Sequence, residues 1–137
     1  MKRIVTAAAL LAAAALLAGA CSKGNVFSLE VGDCFDDPDA AGEVSDVPIV
    51  DCEDPHDNEV YAVFESPDGA LPPQTDFEQG CLDRFEAYVG SDYATSEVYL
   101  GLLSPSADSW DEGDRETICY IYVPGEKLTG SLQDSGR

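Results

Sequence analysis

The chain has 137 residues, with 27 Asp and Glu against seven Lys and Arg, and a formal net charge of −20. A field of that sign repels nucleic acid, whose binding needs a basic footprint, and it opposes direct adhesion of the folded part to anionic lipid. It favours divalent cations or basic partners, and the length suits one domain with a modest core.

The first element is an export signal. Lys2 and Arg3 make a charged start, Ile4 to Leu17 an almost purely apolar run, and Leu17-Ala18-Gly19-Ala20-Cys21 a small-residue cleavage site that resembles the lipobox of bacterial lipoproteins. The run is short for a spanning helix, which needs about 20 apolar residues. Residues 1–20 are therefore expected to be removed, leaving Cys21 as an acylated first residue that anchors the chain to membrane lipid. Two or more acyl chains hold stably where one holds marginally. Plain secretion after Ala18 or Ala20, or a retained span, are the competing readings. Without the signal, five basic residues (Lys23, Arg84, Arg115, Lys127 and Arg137) face all 27 acids.

Residues 21–26 read as a short tether and 27–130 as the folded domain. Phe27, Leu29 and Val31 alternate with polar residues and predict a strand, and residues 36–46 an exposed acidic loop. Val47 to Val50 predicts a short strand with Pro48 near an edge. Glu59 to Glu65 follows, with Val60, Ala62 and Phe64 opposite Tyr61 and Val63. A turn through Ser66-Pro67-Asp68-Gly69 leads to a helix capped by Thr75 with Glu78 reaching back. Its apolar face is Phe77, Cys81, Leu82, Phe85, Tyr88 and Val89, and Gly90 stops it. Thr95 to Leu102 predicts a strand, Pro105 to Gly113 a second acidic loop, and Glu116 to Val123 a last strand. In that strand Cys119, Ile121 and Val123 oppose Ile118, Tyr120 and Tyr122. Residues 131–137 read as a flexible tail. The order of elements predicts an α+β fold, a small antiparallel or mixed sheet packed by one main helix, whose strand order does not follow from the pattern.

Cys34, Cys52, Cys81 and Cys119 remain once Cys21 is set aside, an even number that implies two disulfides with three possible pairings. Cys34–Cys52 and Cys81–Cys119 are favoured. The first closes an acidic, turn-rich segment that burial alone would not hold, and in the second both cysteines sit on inward faces.

His56, the single histidine, lies among carboxylates and is the first place to look for a base, but no activated nucleophile or oxyanion site accompanies it. A structural or surface role is the simpler reading, and a metal-ligand or binding role the alternative. Asp33, Asp36, Asp37 and Asp39, then Asp108, Asp111, Glu112 and Asp114, are dense enough to suggest calcium but follow no EF-hand order. Trp110 reads as packed or as a recognition residue. Tyr93, Tyr99, Tyr120 and Tyr122 suggest an aromatic patch on the sheet, suited to a protein or polysaccharide. No fingerprint of a cofactor is present.

Val31-Gly32-Asp33-Cys34-Phe35, Val50-Asp51-Cys52 with Pro55-His56-Asp57 and Glu59-Val60, Cys81, Trp110 with Gly113-Asp114-Arg115, Cys119, and Lys127-Leu128-Thr129-Gly130-Ser131 together resemble the septum formation domain family of actinobacterial membrane and secreted proteins. The likeness spans most of residues 29–131. It implies an extracytoplasmic domain, tethered by lipid or attached to membrane helices, with no established enzymatic mechanism. It marks His56, Trp110, Asp114 and Arg115, beside Tyr120 and Tyr122, as candidate binding residues. The expectation is a non-enzymatic lipoprotein domain that binds an envelope protein or cell-wall polymer; the alternatives are a wall-metabolism enzyme or a weak divalent-metal module built on His56 and the acidic loops.

Overall fold

A computed structural model describes residues 22–38 and 46–137. The signal segment, Cys21 and residues 39–45, which include Asp39, lie outside the described residues. Among the described residues no helix is long and apolar enough to cross a membrane.

One curled antiparallel sheet of six strands carries the fold: β1 (Ser22–Asn25), β2 (Cys34–Phe35), β3 (Asp46–Val50), β4 (Asn58–Glu65), β5 (Tyr99–Leu103) and β6 (Glu116–Tyr122). Their order is β1-β3-β2-β4-β6-β5. Helix α1 (Gln74–Val89) packs on one face, and a one-turn helix α2 (Ala107–Asp111) stands before β6. The α+β class, the single main helix and both expected disulfides are present, Cys34–Cys52 and Cys81–Cys119, with Cα separations of 5.2 and 5.6 Å.

The helix forms because Phe77, Cys81, Phe85, Tyr88 and Val89 bury one stripe against the sheet. It ends at Gly90, whose φ of 84° turns the chain left-handed and lets its N–H reach Glu86 O. Its start differs from expectation. Pro73 occupies the N-cap and makes no side-chain cap, so Thr75 falls inside the first turn and no capping box forms. Leu82 lies off the buried stripe, 37% exposed.

Other expectations are corrected as well. The strand over 27–31 is a 3₁₀ turn at Val26–Ser28 followed by a turn at Gly32, whose φ is 95°. Val26 and Leu29 bury at a spacing of three, while the Asp33 carboxylate accepts from Glu30 N at 2.8 Å. The sheet reaches back to Ser22, since β1, where a tether was expected, pairs with β3 and forms the edge, with Pro48 one strand in from it. Residues 93–95 form a 3₁₀ turn, which delays β5 to Tyr99, and the second acidic loop contains α2, capped reciprocally by Ser106 and Ser109. The alternation in β4 breaks at a bulge: pairing passes from Val60 and Tyr120 to Ala62 and Cys119, leaving Tyr61 as the extra residue.

That bulge sorts the core. Tyr61, Ala62 and Phe64 join the helix-side cluster with Cys81, Phe85, Cys119 and Ile121. Val60 and Val63 join the opposite cluster with Val26, Leu29, Phe35, Val47 and Ile118.

The expected flexible tail is a docked segment. Leu132 is 4% exposed, Asp134 N donates to Tyr88 O and Gly136 N to Val89 O, both at 2.8 Å. Ser91 and Ser96 hydroxyls donate to Arg137 O, and the Arg137 guanidinium pairs with Glu97 and Glu126. One buried leucine and these hydrogen bonds outweigh the polar composition of 131–137.

Candidate functional site

The candidate residues separate into three places. His56 is buried, not a surface turn residue, and its backbone pairs with that of Leu128 in an isolated bridge. Its Nδ1 lies 2.8 Å from Asp54 O, a group that only accepts, so Nδ1 carries the proton. Nε2 has no hydrogen-bond partner among the described residues. Glu59, equally buried, accepts from Tyr88 Oη at 2.7 Å, from Leu132 N at 2.7 Å and from Ser131 Oγ. One donor atom each from Cys34, His56 and Glu59 lie within 4.8 Å of one another. The Cys34 sulfur is bonded to Cys52, however, and offers no thiolate, so the oxidised chain presents only an imidazole and a carboxylate already accepting three hydrogen bonds. This cluster ties β4, α1 and the C-terminal segment together.

Tyr88 reports on it. Burial, and then the hydrogen bond to Glu59, push its hydroxyl up to about 12, and burial also raises Tyr61 and Tyr120. Unfolded tyrosine ionises near pH 10, so the folded chain keeps protons the unfolded chain releases. The stability this contributes is fully present below pH 10 and is lost as pH rises through about 12. Absorbance titration near 295 nm should show a tyrosine component ionising well above pH 10, diminished in Tyr88→Phe. A folded chain whose tyrosines all ionise together near 10 contradicts this.

Trp110, Asp114 and Arg115 form the second place. Trp110 is buried at 5% exposure, its Nε1 donating to Gly69 O at 3.0 Å. The Arg115 guanidinium lies 3.9 Å from the indole centroid, donates to Trp110 O at 2.7 Å and pairs with Asp68. Asp114 accepts from Ser109 Oγ and Glu116 N. These contacts lock α2 onto the turn before α1.

The third place is a cleft of about 560 Å³ floored by Tyr120 and Tyr122. Tyr99 stands directly across from Tyr122, rings 6.0 Å apart, and the row continues through Tyr120 at 6.2 Å to Phe35 at 5.6 Å. Tyr93, expected with them, packs instead on Phe85 in the helix-side core. Gly101 faces Tyr120 across the β5–β6 pair, and a Cβ there would stand 2.4 Å from Tyr120 Cζ. The absent side chain is what lets the ring lie flat. An isolated glycine between Leu100 and Leu102 was the sequence signal for this close approach.

Asp37, Asp57, Asn58, Glu126 and Lys127 form the rim. Lys127 Nζ bridges Asp36 at 2.7 Å and Asp57 at 2.8 Å, and is raised by those two hydrogen bonds. Burial acts to raise Asp57, but the hydrogen bonds from Lys127 and from Asp37 N, with the Lys127 charge, together outweigh it and hold the carboxyl below its usual range. With Arg137 on Glu126, four carboxylates around the cleft meet two cations, so the rim stays acidic. The described residues of the first acidic run have separate partners: Asp33 caps Glu30, Asp36 pairs with Lys127 and Asp37 accepts from Asn58 Nδ2.

A family model described as septum formation matches residues 31–136. No curated protein and no solved structure matches the chain.

Proposed function

The chain belongs to the septum formation family, and from that premise we propose that it is a lipid-anchored, extracytoplasmic, non-enzymatic domain that binds an envelope protein through the tyrosine-floored cleft. The observation that carries this is the cleft itself: a row of aromatic rings under an acidic rim in a chain of net charge −20. Tyrosine gives large contact area at small entropic cost, and excess carboxylate selects a partner that presents Lys or Arg. The anchor rests on the export signal ending at Cys21 and the Cys21 thiol as acyl acceptor. Catalysis is the weaker reading, because His56 is buried and does not line the cleft.

Two measurements test it. Cys21→Ala should move the chain from the membrane fraction to the medium or the soluble envelope fraction; unchanged membrane retention contradicts the lipid anchor. The full chain in detergent should bind an arginine- and lysine-rich peptide with affinity that falls as salt rises, and Tyr122→Ala should weaken it about tenfold, near 1.4 kcal/mol. Salt-independent sedimentation with purified peptidoglycan, lost in Tyr122→Ala, would make the occupant a glycan and overturn the protein assignment.

A further inference from the structure

β5 is the last strand of the sheet, and no described residue hydrogen-bonds to a backbone group of Tyr99–Leu103 from the side away from β6. Half the N–H and C=O groups of an edge strand point outward, a ready template for another strand. Beside this edge lies a second cleft of about 570 Å³, between β5 and the first turns of α1. Leu82, Tyr93, Leu100 and Leu102 make its apolar wall, and Glu78 stands at its polar side. Gly101 lines both this cleft and the tyrosine cleft. The two recesses therefore flank one strand edge on opposite faces of the sheet.

Successive side chains of a strand point to opposite faces. A segment laid along β5 would send every second side chain toward the leucines beside α1, and the others toward the tyrosines and their acidic rim. We propose that β5 accepts an extended segment of a partner protein by strand addition, with apolar and basic residues alternating in that segment. This deepens the reading of the tyrosine cleft as a protein-binding surface and rests on it. Backbone pairing holds the segment, the helix-side cleft takes its apolar side chains, and the carboxylate rim takes its Lys or Arg. A second copy of the chain is the other candidate for an open edge. Charge disfavours it, since two chains of −20 repel each other.

The test is a fluorescent peptide of about eight residues alternating leucine and lysine, titrated into the full chain in detergent. Two further peptides carry N-methyl groups on alternate amides, one on the leucines and one on the lysines. Only one edge of an added strand faces β5, so one series should bind at least tenfold more weakly than the parent and the other within about threefold. The amides of residues 99–103 should gain protection from hydrogen exchange, and glutamate in place of lysine should cost at least tenfold. Equal binding by both methylated series, no binding of the parent at millimolar concentration, or self-association that protects residues 99–103 without peptide would each overturn strand addition. Tyr122→Ala separates the two claims. Weakened binding with no difference between the methylated series keeps the cleft and removes the strand; unchanged binding with the methylation signature does the reverse.

Discussion

Replacing Cys81 and Cys119 together by alanine is expected to lower stability by about 4 kcal/mol. The bridge spans a sequence separation of 38 and joins α1 to β6 with both residues fully buried. The loop-entropy relation for a closure of that length gives about 4 kcal/mol. A small domain holds about 5–15 kcal/mol in total, so this single bridge accounts for a large share. Because it fixes α1, the one long helix among the described residues, to the sheet, amides of α1 should lose exchange protection before those of β4 and β6. Cys34→Ala with Cys52→Ala, which opens a loop of 18, should cost about 3 kcal/mol by the same relation. Urea unfolding of each double variant measures both. A loss under about 1 kcal/mol for the first pair would show that packing, and not the crosslink, holds the helix.

Glu59→Leu is expected to be as damaging, about 3–5 kcal/mol. The carboxylate is fully buried and takes Tyr88 Oη, Ser131 Oγ and Leu132 N, three donors from two elements far apart in sequence. Leucine fills similar volume but leaves those donors without an acceptor, at about 1–3 kcal/mol for each that water cannot reach. Glu59→Gln keeps one acceptor oxygen and should cost about half as much. Protection at Leu132, Asp134 and Gly136 should fall first, since the docked C-terminal segment depends on this residue. Glu59→Leu with stability within 1 kcal/mol of the parent, and the segment still protected, would show that the cluster is not what holds the segment.

The Cys81–Cys119 bridge was legible because helical spacing put Cys81 on the stripe with Phe77 and Phe85, while alternation put Cys119 beside Ile121. Two independent periods agreed on one layer. The Tyr120 and Tyr122 pairing was legible from the same alternation. Glu59 was hidden because a single glutamate in a strand reads as solvated, and its partners lie 29, 72 and 73 residues away. His56 was hidden likewise: its burial depends on a bridge to Leu128, a contact with no local signature. The bulge at Tyr61 was masked by a run apolar on both faces, where a one-residue shift leaves no pattern to violate. Trp110 and Arg115 were visible as notable residues, but only their contacts with Gly69 and Asp68, more than 40 residues away in sequence, show that they pack.

We propose that this chain meets its protein partner at the tyrosine-floored cleft. The most direct measurement places a photoreactive amino acid at Tyr122 in the full chain in cells, with Asp83 on the exposed side of α1 as the control position. One recurrent adduct is expected from position 122, mapped to a Lys- or Arg-bearing extended segment of an extracytoplasmic protein and absent from position 83. Adducts equal in kind and yield from both positions, or adducts from 122 only to glycan, would contradict it.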